Sequence, residues 1–320
     1  MAMINDVDFS DLYITPDKRA YIWSGKTAHG LQETMFDDYF KFLQAVEENY
    51  KNNSSYAVIY NDYNYRIERT MSMHGPQFSV RKMPRSVPEI KNLGMPLPVT
   101  KHLLTLGKTS GLILVAGATG SGKSTTLATL LKEYLISDGG FALTIEDPIE
   151  LPLDGVYKNP KTGELGLCKQ TAVDNECWRE SLKSALRSAP RYIMLGEIRS
   201  PDVAAEALQA ATSGHLVLST IHANSVPDAI SSLVKYAAAS SISEDMGYEL
   251  VASSILACLH QRLTGVPKKL QLNYLFANPV VEEACQVRGA IKLGKLNFAT
   301  MMEQQRIRLN NGQPLFSGTR

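Results

Sequence analysis

The sequence predicts an α/β protein in which a mostly parallel sheet with flanking helices follows a small α+β domain. From residue 99 onward, short apolar runs alternate with longer helix-like stretches, as expected for parallel strands joined by helices. Before residue 84, two strand-like pieces, one amphipathic run and two further strand-like pieces follow one another. The change of pattern between these two parts predicts two domains.

Composition limits the class of protein. The chain has 320 residues, 44% of them hydrophobic and 20% charged, which is ordinary for a globular protein and excludes disordered and low-complexity classes. Lys and Arg number 33 against 32 Asp and Glu, a formal charge of +1. This near-neutral balance disfavours a dedicated duplex-DNA binder, and we expect no direct contact with nucleic acid.

Cysteine spacing and hydropathy indicate a cytoplasmic protein. Cys168, Cys177, Cys258 and Cys285 form no CxxC pair, so we expect neither a zinc knuckle nor a redox motif but reduced core residues. The N-terminus has no apolar run of signal-peptide length, and no run reaches the roughly 20 residues that cross a bilayer. We therefore expect the protein to reach a membrane only through a partner.

The first part, residues 1–83, is predicted to contain a helix over 34–50 and strands near 56–60 and 65–71, after the early pieces DLYITP and RAYIWSG. Residues 84–98 contain four prolines. Proline removes a backbone donor and restricts the residue before it, so this stretch is predicted to be an extended linker between the domains.

The second part, residues 99–320, contains four predicted strands and four predicted helices. The strands are Gly111–Ala116, Phe141–Ile145, Tyr192–Leu195 and Leu216–Ile221; the helices are Lys123–Ser137, Glu176–Ser188, Asp202–Ala211 and Pro227–Ala239. The turn residues of 159–166 predict a hairpin or protruding loop. The last eighty residues are predicted to be mostly helical and to carry no chemistry.

A phosphate-binding loop is the strongest motif. The segment that matches GxxxxGK[ST] consists of Gly117, Ala118, Thr119, Gly120, Ser121, Gly122, Lys123 and Ser124, and it lies between a predicted strand and a predicted helix. Its glycines let backbone amides surround phosphate oxygens at a helix N-terminus. Lys123 is expected to reach the β- and γ-phosphates and the Ser124 hydroxyl to hold Mg²⁺. The alternative is a glycine-rich turn without a ligand, but chance gives such a match in roughly one such chain in a hundred.

Acidic residues follow the next two predicted strands. Residues 145–150 read IEDPIE, and 195–199 read LGEIR. Ligands of such sheets bind at the carboxyl ends of the strands, so these acids are candidates for the metal side and for positioning water. A single acid at a strand end is most simply explained as a solvated side chain. Two acidic clusters after a phosphate loop instead favour a role in the site. His215 and His222 flank the following strand, where a structural and a functional role are equally open.

Four segments in this order, GATGSGKSTTLATLL, TIEDPIE, LGEIR and SGHLVLSTIHANS, resemble the secretion/pilus superfamily of hexameric ATPases. PilT-type pilus retraction motors resemble the chain most, with type IV secretion and conjugation ATPases as the close alternative. The resemblance implies a RecA-like P-loop NTPase domain preceded by a PAS-like N-terminal domain.

The resemblance also implies roles for individual residues. Gly117–Thr125 correspond to the Walker A motif, so Thr125 joins the binding residues. Glu150 corresponds to the base that polarises the attacking water, and Glu197 to the Walker B acid on the magnesium side. His215 and His222 correspond to a His box that couples the nucleotide site to neighbouring elements.

Arginines of the N-terminal domain reach nucleotide phosphates in the family. Arg81, just before the linker, fits this position, and Arg66 or Arg69 is a second candidate. A solvated basic strand edge explains the three arginines equally well. A charge-stabilising arginine of this kind is worth about 10³–10⁵ in rate.

The function implied is a cytoplasmic ATPase ring, a hexamer that uses ATP and Mg²⁺ and acts at the inner membrane through a platform protein. Two departures favour an alternative, a nucleotide-gated adaptor with little hydrolysis: Pro190-Arg191 replaces the Pro-Asp of many relatives, and no clear AIRNLIRE-like motif is present. A RecA-type nucleic-acid motor is a third hypothesis, which the charge balance disfavours.

Overall fold

The computed structural model describes residues 2–23, 30–173, 178–240, 242–280 and 283–316. The chain divides into two compact units, Met1–Ser86 with Glu150–Pro152 and Val87–Ile149 with Leu153–Arg320. Among the helices described, none is long and apolar enough to cross a membrane.

The first unit is a six-stranded antiparallel sheet in the order β3-β2-β1-β6-β5-β4, with one helix. Its elements are β1 Asp11–Ile14, β2 Ala20–Trp23, β3 Gln32–Thr34, α1 Tyr39–Glu48, β4 Ser55–Tyr60, β5 Tyr63–Ser72 and β6 Gly75–Lys82. Helix α1 buries Tyr39, Phe42, Leu43 and Val46, whose helical spacing gives it one apolar face.

The sequence predicted the helix and four strands of this unit but not β3 or β6. Strand β3 has only three residues and none of them is buried. In β6, the buried residues Phe78 and Val80 alternate with exposed polar ones, which leaves only two apolar anchors in the strand. Short or half-polar strands of this kind depend on their neighbours rather than on their own residues.

The second unit is an eight-stranded sheet in the order β14-β13-β7-β12-β11-β8-β10-β9, with helices packed against it. Its strands are β7 Gly111–Ala116, β8 Gly140–Glu146, β9 Gly155–Lys158, β10 Leu165–Ala172, β11 Tyr192–Leu195, β12 Leu216–Ile221, β13 Ile255–Thr264 and β14 Lys269–Phe276. Its helices are α2 Leu97–Thr105, α3 Lys123–Asp138, α4 Trp178–Leu186, α5 Pro201–Thr212, α6 Val226–Ala238, α7 Glu244–Ser254, α8 Gln286–Lys292 and α9 Ala299–Asn310.

The predicted α/β architecture is confirmed. Six strands of the sheet run parallel, and β9 and β14 at its two edges are antiparallel to their neighbours. Every residue of β7, β11 and β12 is buried, as expected for strands covered on both faces. The predicted hairpin or loop at 159–166 is the connection between β9 and β10.

The expectation of a mostly helical C-terminal part is wrong for β13 and β14, which form a long hairpin. Strand β13 lies directly beside β7. Its first seven residues are all buried, and a continuous apolar run does not distinguish a buried strand from a buried helix.

Only part of the proline-rich segment is extended. Lys132 Nζ, on α3, donates to the carbonyl oxygen of Val87 at 3.2 Å, so the segment from Val87 onward packs against the second unit. A short 3-10 turn follows at Ile90–Leu93, and α2 begins at Leu97.

Candidate nucleotide-binding site

The loop between β7 and α3 has the backbone of a phosphate cradle. Gly117, Gly120 and Gly122 have φ angles of 149°, 74° and 84°, which favour glycine. A Cβ on Gly117 would lie 2.4 Å from the backbone oxygen of Gln261, whereas nothing lies within 4 Å of the Cβ position at Gly120. Gly122 directly precedes α3 and offers no capping side chain, so the first-turn amides of that helix point into the loop.

Lys123 is the first residue of α3 and is 8% exposed. Its Nζ donates to the carbonyl oxygens of Gly117 at 3.0 Å and Ala118 at 3.1 Å. The ammonium group therefore lies over the start of the loop. That is the side on which a P-loop lysine meets the β- and γ-phosphates.

Gln261, near the end of β13, holds the loop from the other side. This side chain is 1% exposed; its Nε2 donates to the carbonyl oxygen of Ser121 at 2.6 Å, and its Oε1 accepts from Thr126 Oγ1 at 2.9 Å. No sequence motif pointed to Gln261. Its amide fixes both the loop and the first turn of α3.

One polar atom of the loop lacks a partner in the part of the chain that the structure describes. The hydroxyl oxygen of Ser121 is buried and makes no hydrogen bond there. Buried polar groups are rarely left in this state. Together with the open approach to Gly120, this orphaned hydroxyl fits a loop built to receive a polar ligand.

Glu197 and His222 lie at the same edge of the sheet as the loop, since they follow the parallel strands β11 and β12. His222 Nε2 is 3.0 Å from Glu197 Oε1 and 3.5 Å from the hydroxyl oxygen of Thr119. Glu197 Oε2 accepts from Arg199 Nε at 2.6 Å. The structure thus joins the loop to Glu197 through an imidazole.

The acidic residues at the end of β8 and after it differ in burial. Glu146 is buried, and its Oε1 accepts from Thr144 Oγ1 at 2.6 Å and from Gln170 Nε2 at 2.9 Å. Glu150 is exposed and belongs to the first unit. Of these two acids, only Glu146 belongs to the second unit, which carries the phosphate loop.

His215 does not lie with the other predicted site residues. It precedes β12, whereas the loop follows the parallel strand β7, and a six-residue strand separates the two edges by about 20 Å. His215 Nδ1 is 2.6 Å from the carbonyl oxygen of Pro190.

Arg191 is also at that far edge. Its guanidinium donates to the carbonyl oxygens of Asp138 at 2.9 Å and Gly107 at 3.0 Å, so it ties the end of α3 to the segment before β7. Arg191, which stands where many relatives have Asp and which favoured the adaptor hypothesis, thus makes structural contacts away from the phosphate loop.

The three candidate arginines of the first unit, Arg66, Arg69 and Arg81, separate into two groups. Arg66 and Arg81 are directly opposite each other on β5 and β6, which puts their side chains on one face of the sheet. Arg81 is 59% exposed and contacts Asp11 Oδ1 through Nε and Nη2, both at 2.9 Å. Arg69 stacks on Tyr50, with its Cζ 4.2 Å from the ring centroid.

Two cavities flank the phosphate loop within the second unit. One of about 510 Å³ borders Ala118–Ser121 and is also lined by the segment after β12 and the β13–β14 hairpin. The other, of about 640 Å³, borders Gly122 and Thr125 and has apolar walls from Pro88, Leu93 and Leu270. Space is thus available on both sides of the loop.

The described residues contain no group of three or more His, Cys, Asp and Glu side chains arranged as a metal cage. Mg²⁺ that accompanies a nucleotide needs no such cage, because phosphate oxygens and water supply most of its ligands. Ser124 at the start of α3 and Glu197 after β11 supply the hard oxygen donors that this cation prefers. The donor set fits Mg²⁺.

The cysteines behave as core residues where the structure describes them. Burial raises the pKa of both Cys168 and Cys258 to about 12, so both thiols stay protonated at neutral pH. Cys285 is half-buried, and Cys177 lies outside the described residues.

Comparison with known proteins shows the family. The model of the family described as "Type II/IV secretion system protein" matches residues 45–311. The chain is 38% identical to the type II secretion system protein E of Aeromonas hydrophila over 204 residues, 62% of this chain and 36% of that protein. It is 33% identical to the type IV pilus ATPase PilU of Pseudomonas aeruginosa over 157 residues, 49% of this chain and 39% of that protein.

The fold has a counterpart among solved structures. A crystal structure of the pilus retraction motor PilT with bound ADP aligns with a TM-score of 0.72 at 24% identity, covering 97% of this chain and 88% of that one. The part of the type II secretion relatives that this chain matches is about 36% of their length. The chain belongs to the type II/IV secretion system protein family.

Proposed function

We propose that this family member is an ATP-hydrolysing motor that works as a ring, and that it powers type IV pilus dynamics or a type IV secretion or conjugation machine at the inner membrane. One observation carries the proposal: the Gly117–Ser124 cradle, with Lys123 over its start, shares one sheet edge with Glu197 and His222. The names of the relatives, which include ATPases of secretion and pilus systems, support it.

The nucleotide is proposed to lie along the loop. Its triphosphate contacts the loop amides and Lys123, and Thr125 lies beside the cavity of about 640 Å³. The apolar walls of that cavity suit a nucleobase, so we place the nucleoside there. Ser124 and Glu197 are the residues that would hold Mg²⁺, which would supply positive charge to the phosphates.

The attacking water is proposed to lose its proton to Glu150. This acid is exposed, whereas Glu146 is buried and already accepts hydrogen bonds from Thr144 and Gln170. His222, which links Glu197 to Thr119, is proposed to couple the nucleotide site to neighbouring elements. Arg81, with Arg66 beside it in register, is proposed to reach the phosphates and stabilise the charge of the transition state.

The same proposal includes the fold of each unit, the oligomeric state and the partner. We infer a RecA-like core for the second unit and a PAS-like fold for the first, supported by the sheet orders described above. A hexameric ring is proposed from the resemblance of the sequence motifs to hexameric ATPases, and a membrane platform partner is supported by the family. A nucleotide-gated adaptor with little hydrolysis is disfavoured, because Arg191 has a structural explanation.

The test is ATP hydrolysis by the purified full chain with Mg²⁺, alone and in variants. Glu150→Gln is expected to retain ATP and barely cleave it, whereas Glu146→Gln, the matched change in the same segment, is expected to retain cleavage. Rapid cleavage by Glu150→Gln together with loss in Glu146→Gln would assign the base to the buried acid instead.

A second comparison tests the magnesium side. Glu197→Gln is expected to raise the Mg²⁺ concentration needed for half-maximal hydrolysis, because the amide is a weaker ligand than the carboxylate. An unchanged Mg²⁺ titration in this variant would refute the role of Glu197. No hydrolysis by the wild-type chain, alone or with membrane fractions, would refute the proposed function itself.

A further inference from the structure

The cavity of about 510 Å³ beside the phosphate loop is basic. Three separate elements line it: the loop residues Ala118–Ser121, the segment Ala223–Asn224 after β12, and the β13–β14 hairpin with His260, Arg262 and Lys268. No Asp or Glu is among its lining residues. We call it the basic cavity.

His260 gives the basic cavity a buried polar wall. Its register partner on β7 is Ala116, the residue immediately before the phosphate loop, and His260 is only 4% exposed. The imidazole places one polar contact for a ligand in the wall of the cavity.

The protonation state of His260 suits this role. Burial lowers the pKa of the imidazole, and the positive charge of Arg262 lowers it further, while Asp228 acts in the opposite direction. The neutral ring has one N–H to donate and one nitrogen to accept. Asp228 is not part of the lining, and its Oδ2 accepts from the backbone N–H of Asn224 at 2.8 Å.

The two cations of the hairpin remain available to an anion. Both are exposed side chains, and neither forms an ion pair with any residue that the structure describes. Arg262 Nη2 donates to the carbonyl oxygen of Asn224 at 3.3 Å, which uses one of its five N–H donors. A guanidinium fork with an ammonium group is well suited to phosphate oxygens.

The basic cavity lies at the terminal-phosphate end of the loop. It shares Ala118 and Thr119 with that end, and Lys123 Nζ contacts the carbonyl of Ala118. A phosphate group that leaves a nucleotide there has this cavity directly beside it.

We propose that the basic cavity binds the inorganic phosphate released by hydrolysis, before it leaves the protein. This inference rests on the proposed function. In the hydrolysis, the oxygen of water bonds to the γ-phosphorus and the bond from that phosphorus to the β–γ bridging oxygen breaks. ADP and inorganic phosphate form, and one proton is lost from the water. The phosphate then moves to Arg262, Lys268 and His260 while ADP stays on the loop.

The experiment measures equilibrium binding of radiolabelled inorganic phosphate to the full chain saturated with ADP and Mg²⁺. With both proteins saturated with ADP, the double variant Arg262→Gln/Lys268→Gln is expected to bind phosphate at least about tenfold more weakly than wild type, because charge-assisted hydrogen bonds are lost. Lys235→Gln, an exposed lysine on α6, is the matched control and is expected to bind phosphate like wild type.

The outcomes separate the two claims. Equal phosphate binding in wild type and in the double variant would place the phosphate on the loop itself and overturn the inference. An ADP-loaded chain that hydrolyses ATP but binds no phosphate overturns it as well, and leaves the proposed function intact. Absence of hydrolysis overturns the proposed function instead. If the double variant is unstable, Lys268→Gln alone, at an exposed turn position, gives the same comparison.

Discussion

Replacing Gln261 by Leu tests the way in which β13 shapes the phosphate loop. Leu is close to Gln in size, so the change removes the side-chain amide without opening a large cavity. Two partners then lose their hydrogen bonds: the carbonyl of Ser121, 2.6 Å from Nε2, and the hydroxyl of Thr126, 2.9 Å from Oε1. Since Gln261 is 1% exposed, water does not readily replace the lost amide.

The magnitude follows from those two bonds. A buried group left without its partner costs about 1–3 kcal/mol, and a hydroxyl can turn to another acceptor, so we expect a total loss of about 2–4 kcal/mol in the free energy of unfolding. That is a large fraction of the about 5–15 kcal/mol that stabilises a typical domain. The loop also loses its fixed shape, so ATP affinity is expected to fall.

Urea denaturation followed by tryptophan fluorescence measures the effect in the second unit alone. The chain has two tryptophans, Trp23 in β2 and Trp178 in α4, so a Trp23→Phe background leaves Trp178 as the reporter. Gln271→Leu, an exposed position on β14, is the control and is expected to change stability by less than about 0.5 kcal/mol. An unfolding midpoint and an ATP affinity unchanged by Gln261→Leu would refute the reasoning.

Three further predictions concern charge. Lys123→Ala is expected to lower the hydrolysis rate by about 10²-fold or more in a phosphate-release assay, because a fixed cation at the developing charge is lost; normal turnover would exclude this site. Arg81→Ala is expected to lower the rate by about 10³, whereas Arg69→Ala, whose guanidinium stacks on Tyr50, is expected to leave it unchanged; equal losses would contradict this assignment. Burial lowers the pKa of His102 from 6.5 to about 4, so below pH 6.5 the unfolded chain takes up a proton that the folded chain refuses. Stability is expected to fall between pH 6.5 and 4, by at most about 3 kcal/mol, and His102→Phe is expected to flatten that fall in urea titrations across this range.

The central strands were predictable from the sequence because each is a continuous apolar run that ends at a distinctive polar segment. Predicted and observed bounds agree for Gly111–Ala116, Tyr192–Leu195 and Leu216–Ile221. The β13–β14 hairpin was not predictable in this way, because Ile255–Leu259 is apolar throughout and its partner strand β7 lies far away in the chain. Long-range pairing, rather than local preference, decides such a strand.

The same distinction holds for the site. Glu197 and His222 were predictable, since both follow strands whose carboxyl ends meet the phosphate loop. His215 directly precedes the strand that His222 follows, so the direction of that strand alone takes it to the far edge. Gln261 is 140 residues from Ser121, and no local pattern connects the two.

The central claim is tested most directly by a crystal structure of the full chain with a non-hydrolysable ATP analogue and Mg²⁺. We expect the triphosphate within the loop amides of Gly117–Ser124. We also expect Lys123 Nζ to move from the carbonyl oxygens of Gly117 and Ala118, now at 3.0 and 3.1 Å, to the β- and γ-phosphates. A nucleotide bound elsewhere, with Lys123 still on those two carbonyls, would contradict it.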